Sequence, residues 1–575
     1  MTTPPGTPAF IPPSWPHCDD PAGCRGRRAD PHAQCFAHLA APERAAHLAG
    51  LAPGADLDHR GTTFTSEDLT DLLDAFRDPA TSAPRLGLAE FSGSVFSGDA
   101  PFSGVMFARE AWFIDATFAR EAWFDGATFT GDARFSGAKF TGRAWFDGAA
   151  FSRNIRFSEA LFTHDAWFDD AVFARKVFFD GATFTRDVMF QGATFTGTAS
   201  LGPLVCAGEV ALSRVVFGTA VTIEAAAARV RCDRTRWEST ATMRLRHAQL
   251  DLTGAVLTQP LAVSAHPVPF TSRAPVPTPL PEPGLPGPGT VRITSLGAVD
   301  TAHLVLTDVD LSGCLFADAF HLDQVRLRGR RLRFAEVPRG VRWRHGLPRH
   351  WTRRKTLLEE HHWRATAYPA PPGAPADQCW RPGRTPSDPD RTLGPGDLAV
   401  LYRDLRKAFE DGKNEPDAAD FYYGECEMRR HDHDRPRAER ALLAGYWALS
   451  GYGLRASRAL GWLLTAMTST VLAMMLWGLP THDPEPVTTG TLPATGRPLR
   501  LTTQNPDPQL RGPYTRRFSA DRTEKAVRVV VNSVVFRSSG QNLTPAGTYT
   551  EMASRFTEPV LLALAALAIR GRVKR

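Results

Sequence analysis

The chain has 575 residues, several times the roughly 100 to 200 of a typical domain, with 43% hydrophobic and 22% charged residues. That balance excludes wholesale disorder and a polytopic membrane protein, and a net charge of +6 is too weak over this length to imply a nucleic-acid partner. Two counts are out of line, 35 Phe against 8 Tyr and 46 Pro with 47 Gly; one residue type is used architecturally, and long loops exist.

Met1 to Pro16 carries no basic region followed by an apolar run, so no signal peptide is expected and most of the chain should stay in the cytoplasm. The eight cysteines are then expected to be reduced. Within residues 1–58, Cys18, Cys24, Cys35 and His38 form C-x5-C-x10-C-x2-H in a segment too short to bury a core. Three thiolates and an imidazole suit tetrahedral zinc, which supplies folding energy that such a segment lacks. C-x5-C is longer than the usual ligand spacing, and the alternative is three unremarkable thiols in a Pro-rich leader. Residues 59–89 are read as a helical lead-in.

From residue 90 the sequence repeats. Phe91, Phe96, Phe102, Phe107, Phe113, Phe118, Phe124, Phe129, Phe135, Phe140, Phe146, Phe151, Phe157, Phe162, Phe168, Phe173, Phe179, Phe184, Phe190 and Phe195 are separated by gaps that alternate five and six. Two residues before most of them stands Ala, as in Ala111, Ala122, Ala133 and Ala144, or a larger Ile155, Val177 or Val188. An eleven-residue period can also mark a helical supercoil. At about 100° per residue, however, successive Phe would fall about 140° apart and form no stripe, and the many Gly between them would each cost a helix about 1 kcal/mol. In an extended chain, residues i and i−2 share a face, so Ala-x-Phe sends a small and a large side chain inward together. The polar residues and Gly between units then turn the chain. Four units closing one coil predict 22 residues per coil, like Phe stacked at about 4.8 Å, and roughly five coils in the run.

Ala127-Thr128-Phe129-Thr130-Gly131 and Ala182-Thr183-Phe184-Thr185-Arg186 resemble the pentapeptide-repeat family motif of small residue, polar residue, Leu or Phe, and two variable residues. The resemblance implies a mainly β chain, a right-handed quadrilateral β-helix. The extra residue in alternate units departs from the plain motif. The register continues through Leu201, Cys206, Leu212, Phe217 and Ile223 and loosens around Trp237, Met243, Leu250 and Leu257, giving a solenoid over 90–263. A Pro-rich loop follows over 264–290, and repeats resume over 291–335 at Leu306, Leu311, Phe316, Leu322 and Leu327; one solenoid with an insertion is preferred to two stacks. Relatives in quinolone resistance imply a DNA mimic acting on a topoisomerase through an acidic face. Between residues 91 and 200, 13 Asp and Glu stand against 10 Lys and Arg, too mixed for that role, and a protein-binding scaffold fits better.

Residues 336–395 read as a basic, Trp- and Pro-rich linker. Twelve Lys and Arg lie in 326–355 against the single acid Glu336, with Trp343 and Trp351 interleaved. This suits anionic headgroups or phosphates, or a solvated edge of the solenoid. Over 396–458 the pattern turns helical, with Leu398, Leu401, Tyr402, Leu405 and Phe409 on one face and a second helix opening at Glu415-Pro416. The text from Tyr402 to Arg430, with Ser450-Gly451-Tyr452-Gly453, looks like the juxtamembrane module of membrane-attached bacterial pentapeptide-repeat proteins. Glu425 and Glu427, and likewise His361-His362 after Glu359-Glu360, are read as surface charge rather than as catalytic or metal-binding groups.

Residues 459–481 contain no charge and reach about 34 Å as a helix, enough to span a bilayer, with Trp462 and Trp477 near the ends as anchors. After a loop over 482–552, residues 553–575 give a second candidate whose apolar core, Pro559 to Ile569, is short. Arg455 and Arg458 before the first span, and Arg570, Arg572, Lys574 and Arg575 after the second, place both flanks in the cytoplasm; a tail lying on the inner leaflet is the alternative. Some relatives join such repeats to a two-span channel module, but Val529 to Pro545 lacks the Gly-Tyr-Gly or Gly-Phe-Gly run of a potassium filter. No P-loop, G-x-S-x-G, H-E-x-x-H or dinucleotide fingerprint occurs, so no enzyme is expected. The sequence reads as a scaffold at the cell membrane, its solenoid cytoplasmic, with an unidentified protein partner on the solenoid surface. It has no cofactor except zinc, favours no nucleic acid, and leaves a homo-oligomer open.

Overall fold

The computed structural model describes residues 13–20, 23–197, 199–273, 277–285, 287–338, 341–344, 347–350, 353–369, 373, 375, 378–380, 392–490, 501–510, 513–535, 538 and 540–573. Arg339 and Trp351 of the basic segment, Val276 of the Pro-rich loop, Phe536, Arg537 and Ser539 before the second span, and Lys574 and Arg575 lie outside them. Two compact units result, Met1–Leu393 with Arg403–Asn414, and Gly394–Tyr402 with Glu415–Arg575.

The first unit is a parallel β-solenoid of about 11 turns. In the aromatic run each coil carries four short strands, each pairing in parallel with one on the next coil, and beyond it strands of 13 residues (Ala199–Ala211) and 11 residues (Val221–Arg231) run around more than one side. Ala122 pairs with Ala144 and Ala144 with Ala166, so the coil is 22 residues. All twenty Phe of the run are buried and form four columns, with rings of one column 4.5 Å apart at Phe107 and Phe129, 4.8 Å at Phe113 and Phe135, and 5.2 Å at Phe91 and Phe113. Rings of adjacent columns meet edge to face, as Phe124 and Phe135 do at 5.5 Å and 87°. This is the geometry that aromatic quadrupoles prefer.

The alternation of five and six is an alternation of corners. In the five-residue unit the chain closes a β-turn in which the amide of Ser94 donates to the carbonyl of Phe91, and that of Ala116 to Phe113. The third residue of each such turn is left-handed, including Gly93, Gly104, Asp115, Gly126, Gly137, Gly148, Glu159 and Asp170, a region that only Gly enters without cost. In the six-residue unit Gly serves instead for close approach: a Cβ on Gly142 would lie 2.2 Å from the carbonyl oxygen of Arg120.

The register does not loosen after Phe217; the coil shortens. Val216 pairs with Arg236, Val221 with Ala241 and Ala241 with Leu261, each 20 residues on, which is four plain five-residue units. Trp237 lies 4.6 Å from Phe217 and continues the column. The ladder crosses the Pro-rich insertion, with Leu261 pairing with Leu304, so one continuous stack exists. The insertion packs back on the solenoid: Phe270 clusters with Val205 and Ala226, with Leu280 and Leu285 against them.

The solenoid also starts before residue 90. Leu57 pairs with Ala89 and Thr63 with Val95, and the first coil is longer because the ten-residue helix α2 (Ser66–Ala75) is inserted in it. Thr65 caps α2, accepting the Asp68 amide while Asp68 accepts that of Thr65, and Leu69, Leu72 and Phe76 close the end of the core. A short helix, α1 (Ala41–Ala49), precedes it.

At the other end the expected linker builds a lid. Ala335 pairs antiparallel with Thr356, the backbone of Val341–Arg344 pairs with Leu347–His350, and helix α3 (Leu358–Ala367) follows. The reading of Glu359, Glu360, His361 and His362 as surface charge is corrected, since all four are buried. Glu359 accepts the amides of Phe316 and Ala317, satisfying the open edge of the last coil, and burial pushes its carboxyl up to about 7. Glu360 sits between Arg354 and Arg364, 2.6 Å from each.

In the second unit, α4 (Pro395–Asp411) supplies Tyr402, which packs on Phe421 of α5 (Glu415–His431) at 5.5 Å. Next come α6 (Arg437–Ser450) and α7 (Ala456–Ala473), which ends in a π turn over Met474–Gly478. Glu425 and Glu427 are buried rather than solvated: Glu427 accepts from the Tyr452 hydroxyl at 3.1 Å and pairs with Arg430 at 2.8 Å. Then follow α8 (Ala520–Val534) and α9 (Pro545–Val573). Two helices, Ala456–Gly478 and Pro545–Arg570, are long and apolar enough to cross a membrane. The second is more than twice the expected apolar core because its charges are accommodated. Arg555 pairs with Glu551 at 2.8 Å, and Glu558 accepts from Thr470 of α7 at 3.0 Å.

Candidate metal centre and interaction faces

Cys18, Cys24, Cys35 and His38 are brought together, one ligand atom of each lying within 4.8 Å of all the others. The pairing of His17 with Arg27 and of Arg28 with Cys35 folds the short segment on itself. Gly26 permits the crossing, since a Cβ there would lie 2.8 Å from that of Cys35. The Sγ atoms of Cys24 and Cys35 are 3.7 Å apart, and the Nδ1 of His38 is 3.4 Å from Cys18 and 3.6 Å from Cys35. A tetrahedral ion with Zn–S bonds of about 2.3 Å has sulfur–sulfur edges of about 3.8 Å, so these residues fit a metal ion. Burial, and then the neighbouring thiols of Cys24 and Cys18, push Cys35 up to about 12. Burial opposes ionisation of Cys18 as well, yet the amide of Cys35 and the His38 ring bring its thiol below the usual range. Ionising all three thiols together at this spacing would take a cation.

The outward residue of each Ala-x-Phe unit defines four faces. The first presents Trp112, Arg134, Arg156 and Phe178, with Arg134 over Trp112 at 5.4 Å and Arg156 over Phe178 at 4.9 Å. The second presents Thr117, Lys139, Leu161, Thr183 and Val205, and the insertion covers its far end. The third presents Pro101, Trp123, Trp145, Trp167 and Met189. The fourth presents Met106, Thr128, Ala150, Val172 and Thr194. Acids and cations are interspersed around the coils, as in Arg120 beside Asp99 at 3.5 Å, although Asp125, Asp147 and Asp169 follow one another on successive rungs beside the third face.

The tryptophans of the third face were not singled out from sequence, although Trp123, Trp145 and Trp167 recur every 22 residues. Trp145 and Trp167 stack at 4.0 Å and 6°, and the Trp145 indole N–H donates to Glu121 at 3.1 Å. Beside them Asp147 accepts the amide of Asp169 at 3.0 Å, and Asp169 that of Gln191 at 2.7 Å. Burial, with the carboxylates of Asp169, Asp125 and Asp170, holds Asp147 up at about 6.

Between the candidate spans, α8 sends Ala526, Val529 and Val530 inward, and Ser533 accepts from Ser554 of α9 at 2.9 Å. Carbonyls released by the π turn are taken up by Arg522, which donates to Met475, Leu479 and Pro480, and by Arg517, which donates to Leu476. The spans approach closely at Gly478 and Gly547, where a Cβ on Gly547 would lie 2.3 Å from the Gly478 carbonyl oxygen.

A four-sided parallel β-solenoid with an aromatic interior, followed by helices able to enter a membrane, defines a class of repeat protein. Residues 86–128, 124–172 and 157–202 match the family model of pentapeptide repeats, in nine copies. The chain carries pentapeptide repeats of that family. No curated protein matches it, and no solved structure does.

Proposed function

We propose that the chain is a membrane-tethered scaffold without catalytic activity, its solenoid held on the cytoplasmic side and binding protein partners through its outward faces. The observation that carries this is the combination of a solenoid with fixed rows of outward side chains and two helices that can span a bilayer. Basic residues Arg455 and Arg458 precede the first span, and Arg570 and Arg572 stand at the end of the second, the flanks that the positive-inside rule assigns to the cytoplasm. Accessibility of single cysteines at Thr488 and Thr503 to an impermeant maleimide in intact cells tests the topology: labelling at both, and none at Thr194→Cys, is expected, and the reverse pattern refutes it. Cross-linking capture of neighbours, compared between wild type and outward-face variants, tests the scaffold; neighbours unchanged by every face variant would refute it.

The cysteine cluster is read as a structural zinc centre, held by Cys18, Cys24, Cys35 and His38, whose ion would replace the core that the segment lacks. A second functional reading is supported by α8, which packs between the two spans as a pore helix would. A non-conducting descendant of a channel module accounts for that layout without a filter run, and reproducible ion-selective openings in planar bilayers would reverse the ranking.

A further inference from the structure

An outward row of large apolar residues on a solenoid needs a cover or a partner. On the second face the molecule supplies its own cover. The Pro-rich insertion lays Phe270, Leu280 and Leu285 against Val205 and Ala226, and its Arg273 reaches Asp180 at 2.9 Å and Glu224 at 3.2 Å. An extended segment docks there by placing apolar side chains on the solenoid and an arginine between carboxylates two rungs apart.

The third face repeats that chemistry on five consecutive coils without such a cover among the described residues. Trp123 is 39% exposed. One margin of the row carries Asp99, Glu121, Asp165 and Asp187, and the other Asp125, Asp147 and Asp169 with Asp170. Arg120, Arg143, Arg186 and, close to Asp169, Arg214 are the cations beside it, and Arg120 is spent on Asp99. The acids therefore outnumber the cations by two to one along a strip whose centre is aromatic.

We infer that the third face is a docking strip for an extended basic polypeptide segment, arginine or lysine side chains meeting the two acidic margins and aliphatic side chains lying on Pro101, Trp123, Trp145, Trp167 and Met189. This rests on the reading of the solenoid as a binding scaffold and names the face and the partner's chemistry. Arginine suits such a strip because its planar guanidinium both pairs with carboxylates and packs on aromatic rings.

The test uses the full chain in zwitterionic nanodiscs and a fluorescein-labelled peptide of alternating Arg and Leu, read by anisotropy against empty discs. Saturable binding is expected, weakened at least tenfold in Trp123→Thr/Trp167→Thr and in Asp125→Asn/Asp147→Asn/Asp169→Asn, and unchanged in the fourth-face variant Val172→Thr. Threonine occupies the equivalent outward position at Thr117 and Thr128, so these variants should keep the fold, checked by far-ultraviolet circular dichroism. If the tryptophan variant fails that check, the aspartate variant decides. Absence of binding, equal binding of a peptide with Glu in place of Arg, indifference to the third-face variants, or displacement of the peptide by a neutral oligosaccharide would each overturn the inference. Neighbour capture separates it from the scaffold reading: neighbours lost in fourth-face but not third-face variants would sink the strip and leave the scaffold, and neighbours unchanged in both would sink both.

Discussion

Replacing Phe135 by Ala in the middle of the solenoid isolates what the aromatic columns contribute. Phe135 is fully buried, lies 4.8 Å from Phe113 below and 5.1 Å from Phe157 above, and meets Phe124 and Phe146 edge-on at 5.5 and 5.6 Å. Truncation would leave its two column neighbours facing each other across an empty rung, because strand pairing fixes the coils at their spacing and the site cannot collapse. Phe to Ala in cores costs about 3 to 5 kcal/mol, and six ring contacts, with Phe129 and Phe140 at 6.2 Å completing the set, put this site at the upper end. In a stack where each coil contacts only its neighbours, the loss should be local and fall off within a few rungs. Native-state hydrogen exchange reads it directly. The Phe135 amide, bonded to Arg156 at 2.7 Å, and the Phe157 amide, bonded to Phe178 at 2.8 Å, should exchange about a thousandfold to several thousandfold faster, since each 1.4 kcal/mol is about tenfold. Trp145→Ala, on the outside of the same coil region, should change them less than tenfold. An equal response to both substitutions would refute the claim that the interior columns hold the coils together.

His59 occupies the Phe position of the first coil, fully buried among Phe36, Phe64 and His47, and burial lowers its pKa to about 3. The unfolded chain binds the proton from about pH 6.5 downward and the folded chain does not, so stability present above pH 6.5 is lost as pH falls toward 3, at about 1.4 kcal/mol per unit. His59→Phe should remove about 2 to 3 kcal/mol of acid sensitivity between pH 6.5 and 4.5 in exchange of the Ser94 amide; identical pH dependence in both proteins would refute it. Glu360→Gln removes the carboxylate charge that Arg354 and Arg364 share in the lid, an expected cost of about 3 to 5 kcal/mol, visible as protease cleavage near residue 356 that the wild type resists. Purified chain should carry about one zinc ion by elemental analysis, and Cys24→Ser should carry almost none; equal content would exclude the cysteine site. Glu159→Gly, at a left-handed corner, should stabilise its coil by about 0.5 to 1 kcal/mol in the same exchange measurement, and a loss of stability would contradict the assigned corner.

The interior was legible because Ala-x-Phe has one phase and no competing helix stripe. What followed Phe217 was not, because dropping the extra residue from alternate units shifts the spacing from 22 to 20 while Leu, Met and Trp take over from Phe; the eye sees decay where the chain only changes its corner. The extent of α9 was hidden for another reason. Hydropathy counts Glu551, Arg555 and Glu558 as interruptions, although the first two neutralise each other one turn apart and the third finds a hydroxyl on the neighbouring span. The lid at Glu359 and Glu360 was unreadable because its partners, Phe316 and Arg354, are fixed only once the last coil exists. The cysteine cluster was visible as composition, but its closeness depends on the crossing at Gly26.

Since two units make eleven residues and four make a coil, the number of residues upstream decides which way a side chain looks. Copying 22 residues within the aromatic run would lengthen the rod and leave every downstream row in place. Copying 11 would preserve each local unit yet rotate the rest of the rod by half a revolution, carrying the tryptophans to the opposite side. The position of Trp112 on the first face and of Trp123 on the third is what such a half-turn looks like within one chain, and surface identity in this molecule is thus a matter of counting.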